Sequence, residues 1–239
     1  LAGGESVRVI EALAAALVAL SEWHVAADPV WDETTSIVLS ALIGSISFAG
    51  SVVAFAKLQE LVSGRPIVFP GQNVVNILVL VAAGGLGVAA VAGVEDQWVL
   101  WALVGLALLF GMMFVLPIGG ADMPVVISLL NAFTGLAASA TGFVLDSTVL
   151  IVSGMLVGAA GTLLTLLMAK AMNRSVANVL FGAFGQVQTG AGTVRGDDGR
   201  TVRSTTADDV AVQLSFARKV IVVPGYGMAV AQAQHDVRQ

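Results

Sequence analysis

The sequence predicts an all-α polytopic membrane helix bundle of about six transmembrane helices, followed by the first β-strand, turn and helix of an α/β domain. Of the 239 residues, 57% are hydrophobic and only 11% are charged, and the mean hydropathy is +0.91. A chain this apolar cannot cover a soluble domain with polar surface. From Gln186 onward the composition becomes polar, and the chain then reaches a short β-branched run and two closely spaced glycines. The lipid bilayer is therefore the predicted environment of most of the chain.

Six apolar stretches are long enough to cross the hydrocarbon core, which requires about 20 residues in a helix. They comprise residues 6–23, 35–62, 74–94, 98–117, 123–145 and 147–172. Each is bounded by charged residues, Pro, Asn or Gly, so each is predicted to form a separate transmembrane helix.

Basic residues occur at alternate ends of these stretches. Lys57 and Arg65 flank the second connection, and Lys170 and Arg174 flank the end of the sixth stretch, whereas the first, third and fifth connections hold no Lys or Arg. The positive-inside rule places the basic ends and the polar tail in the cytoplasm. The opposite ends carry the tryptophans expected of an aromatic belt: Trp23, Trp31, Trp98 and Trp101.

Charge and composition exclude several classes of site. The net charge is −5 and the basic residues are scattered, so no cationic stripe for nucleic acid is expected. The chain has no cysteine and only two distant histidines, which argues against a metal site and against a cysteine nucleophile.

The polar segment after Gln186 is predicted to be a linker, because it is rich in Gly and Thr and has no apolar periodicity. The stretch "ADDVAVQLSFARK" that follows places Val210, Leu214 and Ala217 on one helical face. The run "VIVV" is then typical of a strand buried in a parallel sheet.

The glycine pattern after that run predicts a nucleotide-binding turn. Gly225, Gly227 and Val230, with Tyr226 between the glycines, form G-x-G-x-x-V between a predicted strand and a predicted helix. Such a turn lets the backbone approach a pyrophosphate at a helix N-terminus. A plain structural turn is the alternative, since "GLGVAA" at residues 85–90 fits a similar pattern inside an apolar stretch, where close helix packing explains it better.

Polar residues inside the apolar stretches are candidates for a proton path. Asp122 opens the fifth stretch, where it either caps the helix or takes part in coupling. Asn131 is either an interhelical hydrogen-bonding group or a polar station that relays protons through water. It lies on a face of small and polar residues with Ser128, Gly135, Ala138 and Gly142. Glu11 and Arg8, with Glu5, share one face of the first stretch. They either neutralise one another in an aqueous cavity or extend to the membrane surface.

The sixth stretch contains a run of small residues. Gly154-x-x-x-Gly158 permits close helix approach, and Gly158, Ala159, Ala160 and Gly161 follow one another directly. Structural packing is the simple interpretation, and a sliding contact used in coupling is the alternative.

Four segments together resemble one known family. The segments "SFAGSVVAFAKLQ", "LPIGGADMPVVISLLNAFTGLAASATGFVL", "LVGAAGTLLTLLMAKAMNRSV" and "VIVVPGYGMAVAQAQ" resemble the β subunit family of proton-translocating NAD(P) transhydrogenases, in the same order and over nearly the whole chain. The resemblance implies a proton-channel domain at residues 1–175, a cytoplasmic linker at 176–218 and the start of a Rossmann-type NADP(H)-binding domain at 219–239.

The resemblance also implies roles for particular residues. Asp122 and Asn131 match polar positions associated with coupling, and residues 158–161 match a small-residue region of the last membrane helix. The domain junction would be Asn173, Arg174 and Ser175, and the phosphate turn would be Gly225, Tyr226, Gly227 and Val230. Ala159 and Ala160 lack the hydroxyls that some members carry.

The implied partners are an α subunit that binds NAD(H), with its membrane helices, and a second protomer in a homodimer. The implied location is the bacterial inner membrane, and no metal is implied. The chain is expected to be a fragment that is inactive alone, because the family's membrane histidine would precede Leu1 and most of the NADP(H) domain would follow Gln239. A secondary transporter with a cytoplasmic nucleotide-sensing domain is the alternative function, and a structural membrane scaffold is a third.

Overall fold

The computed structural model describes residues 2–25, 31–64, 66–69, 71–94, 96–172, 175–177, 179–180 and 207–221. The chain divides into two compact units, Leu1–Val187 and Gln188–Gln239. The predicted domain boundaries at residues 175 and 218 stay predictions.

The first unit is a bundle of long helices. In chain order they are α1 (Ala2–Val25), α2 (Trp31–Leu58), α3 (Gln72–Val91), α4 (Gln97–Val115), α5 (Met123–Val144) and α6 (Thr148–Ala171). A 3₁₀ turn, Gly120–Asp122, leads directly into α5. In the second unit the described residues contain one helix, α7 (Ala207–Ser215).

Left-handed residues follow the ends of three of the described helices, and Glu60, at φ 58°, is the one after α2. Gly93, at φ 100°, follows the end of α3, and Asp146, at φ 48°, follows the end of α5. Beside Asp146, the Ser147 N–H donates to the Gly142 carbonyl at 2.8 Å, the long bond of a Schellman motif. The chain therefore reverses within a few residues, and α6 runs back antiparallel along α5.

The central helix of the bundle is α2, which packs on α1, α3, α4 and α5. Within its most apolar stretch 67% of the residues are buried, compared with 22% for α3 and for α6. Of the glycines in "GLGVAA", Gly87 packs tightly on Val38 of α2, whereas nothing approaches the Cβ position of Gly85. The helices α3 and α6 are thus peripheral and present apolar faces suited to lipid.

Two apolar clusters fill opposite ends of the bundle. One end of the bundle, which we call the tryptophan end, carries Trp23, Trp31 and Trp98. The cluster there includes Leu20, Ile37 and Leu100, with Trp23 packed against it. The other end, which we call the lysine end, carries Lys57 and Lys170. The cluster there includes Val115 and other side chains from α2, α4, α5 and α6. This up-and-down arrangement brings Lys57 and Lys170 to one end of the bundle, as the sequence predicted.

Five helices, α2 to α6, are long and apolar enough to cross a membrane, and their bounds agree with the predicted stretches to within about a helical turn. The chain is therefore an integral membrane protein. The first predicted stretch also forms a helix, but α1 is not among the five. Its composition explains this difference, because α1 carries four residues of the types Asp, Glu, Lys and Arg: Glu5, Arg8, Glu11 and Glu22. Among the residues that the structure describes, the prediction of about six spans is thus reduced to five on length and composition.

The predicted helix of the polar tail is present as α7. It ends at Ser215, so Arg218 and Lys219 follow the helix instead of forming its last turn. The described part of the predicted strand, Val220 and Ile221, lies in neither a helix nor a strand. The rest of that strand and the glycine turn lie outside the described residues, so the Rossmann-type start stays a prediction.

Candidate functional site

Asp122 lies where the α4–α5 connection becomes α5. It is half-buried, and it forms the last residue of the 3₁₀ turn and the N-cap position of α5, which has Pro124 in its first turn. The Asp122 side chain accepts no capping hydrogen bond from that turn. The helix-cap interpretation is therefore wrong for this geometry, and coupling stays a prediction for Asp122.

Lys57, in the last turn of α2, lies beside this connection and is buried, with 4% of its surface exposed. Its Nζ donates to the carbonyl oxygens of Val115 at 3.4 Å and Ile118 at 2.9 Å, and also to that of Leu116. These carbonyls belong to the end of α4 and the residues just after it. A helix C-terminus carries partial negative charge and unpaired carbonyls. The Lys57 ammonium supplies both a positive charge and hydrogen-bond donors to the end of α4.

Two further donors reach the end of α4, one from the α2–α3 connection and one from the first residue of α3. The Ile67 N–H donates to the Leu116 carbonyl at 3.1 Å, and Gln72 Nε2 donates to the Met113 carbonyl at 3.2 Å. We call Lys57, Ile67 and Gln72 the α4 cap. Together they tie the α2–α3 connection to the chain that leads toward Asp122.

A seam of glycines joins α5 and α6. A Cβ at Gly135 would lie 2.6 Å from Gly158 N, and one at Gly154 would lie 2.5 Å from Ser139 N. The two backbones are therefore in direct contact, as in small-residue helix pairs of membrane proteins. Gly158 and Gly161 lie in this seam, and a Cβ at Gly161 would lie 2.9 Å from Ala132 N.

Ala159 and Ala160 do not share the seam. Both side chains are exposed on the outer surface of α6, because successive residues of a helix turn by about 100°. The structure therefore separates the predicted run 158–161 into two packing glycines and two outward-facing alanines.

Asn131 lies next to the seam and is half-buried. Its predicted neighbours on α5 do meet α6, since Ser128 Oγ donates to the Gly161 carbonyl at 3.2 Å and Gly142 approaches Ile151. The face that the sequence singled out is thus mainly a contact between two helices. A proton-relay role for Asn131 stays a prediction.

Pairs of hydroxyl groups bridge α2 and α5 inside the bundle. Ser40 Oγ and Thr141 Oγ1 lie 2.6 Å apart, and so do Ser47 Oγ and Thr134 Oγ1. All four residues are buried. Within each helix the two hydroxyl residues are two turns apart, about 10.5 Å along the axis, so the pairs mark two levels of one antiparallel contact.

A cavity of about 470 Å³ lies between α1, α5 and α6. Its lining includes Glu11, the two threonines of the hydroxyl pairs and Ser153. Glu11 is thus brought within the same part of the bundle as Thr134 and Thr141, although it is itself an exposed residue. Arg8 lies on α1 one turn before Glu11, and its side chain lies outside the described part of the structure.

His24 joins α1 to α4 at the tryptophan end. Its Nδ1 lies 2.6 Å from the Leu20 carbonyl oxygen, and its Nε2 is a hydrogen-bond partner of Gln97 Nε2. A ring that donates from Nδ1 and accepts at Nε2 satisfies both contacts. The two contacts make His24 a link between α1 and α4.

Several predicted site residues lie outside the described residues. They are Asn173, Arg174, Gly225, Tyr226, Gly227 and Val230. Ser175 is described and exposed, and its carbonyl accepts the Val179 N–H at 3.0 Å. The roles of the junction and of the phosphate turn stay predictions.

Sequence reasoning missed Lys57 and the hydroxyl pairs as site residues. In the sequence, the position of Lys57 indicates only the cytoplasmic side of the membrane. A weak signal did exist for the serines, because Ser40, Ser47 and Ser51 recur at helical spacing on one face of α2, and all three are buried. The partners of Lys57 lie in and after α4 and the hydroxyl partners of Ser40 and Ser47 lie on α5, and the residue pattern of one helix does not identify its contacts with another.

Comparison with known proteins gives a consistent result. A family model for the NAD(P) transhydrogenase beta subunit matches residues 6–239. Two curated proteins of Rhodospirillum rubrum, one of them from a designated strain, are each named NAD(P) transhydrogenase subunit beta and are 46% identical over 203 residues. The alignment covers 84% of this chain but only 43% of each relative, so the chain spans less than half the length of these proteins. The matched range includes the helix bundle, the polar tail and the terminal glycine pattern, and the chain therefore belongs to the NAD(P) transhydrogenase beta subunit family.

Proposed function

We propose that this chain supplies the membrane domain and the start of the NADP(H)-binding domain of a NAD(P) transhydrogenase, which couples proton translocation to hydride transfer from NADH to NADP. The observation that carries the proposal is the family match over residues 6–239. It joins an apolar helix bundle to a glycine pattern of the nucleotide-binding type, and a proton-coupled nucleotide enzyme requires both parts.

The complete protein requires two nucleotides and a partner. NADP(H) is assigned to the C-terminal region of this chain, at Gly225, Tyr226, Gly227 and Val230. NAD(H) is assigned to an α subunit whose membrane helices pack on this bundle, within a dimer of protomers. The hydride chemistry belongs to the nicotinamides, and the protein positions them. The bundle lies in the bacterial inner membrane with its lysine end, linker and C-terminus in the cytoplasm.

Coupling requires two states of the bundle that bind the proton and the nucleotide with different affinities. Asp122 is well placed to bias such states, because it begins α5 and α5 packs on both α2 and α6. Residues 176–218 then transmit the change to the nucleotide domain.

The alternative of a secondary transporter gains no support from the family match. Such a transporter binds its substrate at interrupted helices near the middle of the membrane. Within the described residues, α2 to α6 each run without an interior break.

The test uses the complete two-subunit complex with Asp122→Asn and Asn131→Ala in separate variants. Proton-coupled transhydrogenation in sealed vesicles is expected to fall about tenfold, whereas hydride exchange between bound nucleotides, which needs no proton transfer across the membrane, stays within about twofold. Asp146→Asn is the matched control, because Asp146 is exposed at the opposite end of α5 and Asn tolerates its left-handed backbone.

An equal loss in both assays would remove the coupling role of Asp122 and Asn131. A parent complex that transfers no hydride between NADH and NADP would refute the proposed function itself.

A further inference from the structure

The burial of Lys57 is unusual for a lysine at the end of a membrane helix. Such lysines normally extend their ammonium group to the aqueous interface. Lys57 is instead only 4% exposed, although burying a charge is costly unless it is well hydrogen-bonded. By contrast, Lys170 in the last turn of α6 is exposed at the same end of the bundle.

Pro117 explains why the end of α4 needs an outside donor. A proline has no N–H, so it cannot donate to the carbonyl of Met113, four residues earlier. Gln72 Nε2 donates to that carbonyl instead, at 3.2 Å. Gln72 thus replaces the one donor that the proline removes. Lys57 donates to later carbonyls, including that of Leu116, which lie at the helix end, where carbonyls have no intrahelical partner.

The same groups fix the chain that follows α4. Lys57 Nζ donates to the Ile118 carbonyl at 2.9 Å, beyond the end of the helix. Two residues later, the Gly120 N–H donates to the Gly64 carbonyl at 2.9 Å. Asp122 comes next, so the position at which α5 begins depends on contacts made by Lys57 and by the α2–α3 connection.

We propose that Lys57 is a positioning residue for proton coupling, which acts by holding the 116–122 connection and thereby setting the placement of Asp122 at the start of α5. This inference rests on the proposed function for its link to proton movement. Its structural part, that Lys57 fixes the connection, stands on the hydrogen bonds alone and is tested separately.

The first experiment measures protons moved per hydride transferred in vesicles that contain the complete complex. Lys57→Met is expected to lower this ratio about tenfold, with hydride exchange between bound nucleotides close to the parent. Lys57→Arg, which keeps the charge and the donors, is expected to recover most of the ratio. Lys170→Met, which removes an exposed lysine from the same end, should leave the ratio unchanged.

The second experiment measures the position of the connection directly. The chain has no cysteine, so Gly120→Cys adds one thiol to it, at a site where a Cβ would lie 3.6 Å from the nearest atom, the Gly64 carbonyl oxygen. Maleimide labelling of this thiol is expected to become about tenfold faster when Lys57→Met is added. Adding Lys170→Met should not change the labelling rate.

The outcomes separate the two claims. An unchanged labelling rate and an unchanged proton ratio in Lys57→Met overturn the positioning role. Failure of Lys57→Met and Lys57→Gln to accumulate in the membrane, while Lys170→Met accumulates, also overturns it, because Lys57 then serves folding. A parent complex without proton-coupled activity refutes the proposed function, and the labelling result still decides whether Lys57 holds the connection.

Discussion

Ser47 and Thr134 show how single residues join the helices of this bundle. Their hydroxyl oxygens lie 2.6 Å apart, and the Leu130 carbonyl lies within 3.0 Å of each. Hydrogen bonds between membrane helices are worth less than their isolation from water suggests, on average about 0.6 kcal/mol. The pair should therefore stabilise the contact of α2 with α5 modestly, and each partner keeps the backbone carbonyl if the other is removed.

A double-mutant cycle with Ser47→Ala and Thr134→Val measures this contact. The interaction free energy between the two sites is expected to be about 0.5–1 kcal/mol in favour of the parent. Unfolding of the purified protein in mixed detergent micelles gives the four free energies. The pair Ser153→Ala and Thr134→Val serves as the control, because the Ser153 hydroxyl bonds within its own helix. An interaction free energy of zero between Ser47 and Thr134 would show that the two hydroxyls act independently.

At the scale of helices, the contact between α5 and α6 depends on the absence of side chains. Glycines from both helices contribute to it, so neither helix can rotate or separate without losing close backbone contact. The Gly154 and Gly158 half was predicted from the sequence, since small residues four apart are the known pattern of such contacts. The other half, Gly135 on α5, appeared in the sequence only as part of a polar face.

Gly135→Ala should destabilise the bundle by about 1–3 kcal/mol, because the added methyl group would meet the backbone of α6 and a backbone cannot move aside as a flexible side chain can. Gly85→Ala on α3 is the matched substitution, with no atom within 4 Å of the new Cβ.

The Gly85 variant should stay within about 1 kcal/mol of the parent, on the stable side, because alanine favours a helix over glycine. Thermal unfolding in detergent reports both variants. Similar losses of thermal stability in Gly135→Ala and Gly85→Ala would contradict the conclusion that the seam depends on backbone contact.

For the whole molecule, the bundle has a lysine end and a tryptophan end, and the proposed topology makes the lysine end cytoplasmic. Gln59 lies at the lysine end, just after α2, and Asp96 lies at the tryptophan end, just before α4. Both are exposed. They therefore report the two sides of the membrane without disturbing the core.

Single cysteines at these positions test the topology. Asp96→Cys is expected to react with a membrane-impermeant maleimide once the outer membrane is made permeable, whereas Gln59→Cys should react only after the inner membrane is opened. The cysteine-free parent chain is the control for background labelling. The reverse pattern would invert the bundle and would place the linker on the wrong side for cytoplasmic nucleotides.

The parts of the fold that sequence predicted are those set by local properties. Hydropathy located α2 to α6 because crossing the bilayer fixes length and composition within each helix. It did not reveal that Ser40 meets Thr141, since these residues are 101 positions apart and hydropathy does not say which helices are neighbours. Lys57 was hidden for a related reason. A lysine at a helix end can turn toward water or toward carbonyls, and here it turns toward the carbonyls of Val115, Leu116 and Ile118, in and after a different helix.

The α4 cap also bears on how the bundle is made. Lys57, Ile67 and Gln72 all precede α4 in the chain, and proteins are synthesised from the N-terminus. These donors are therefore already at the membrane surface when the last turn of α4 leaves the ribosome. Unpaired carbonyls in hydrocarbon each cost several kcal/mol. Because the donors are already in place, α4 is most stable at the one depth in the membrane where its last carbonyls meet them. The order of synthesis thus lets α2 serve as a template for the insertion of α4 and for the point at which the chain turns back into α5.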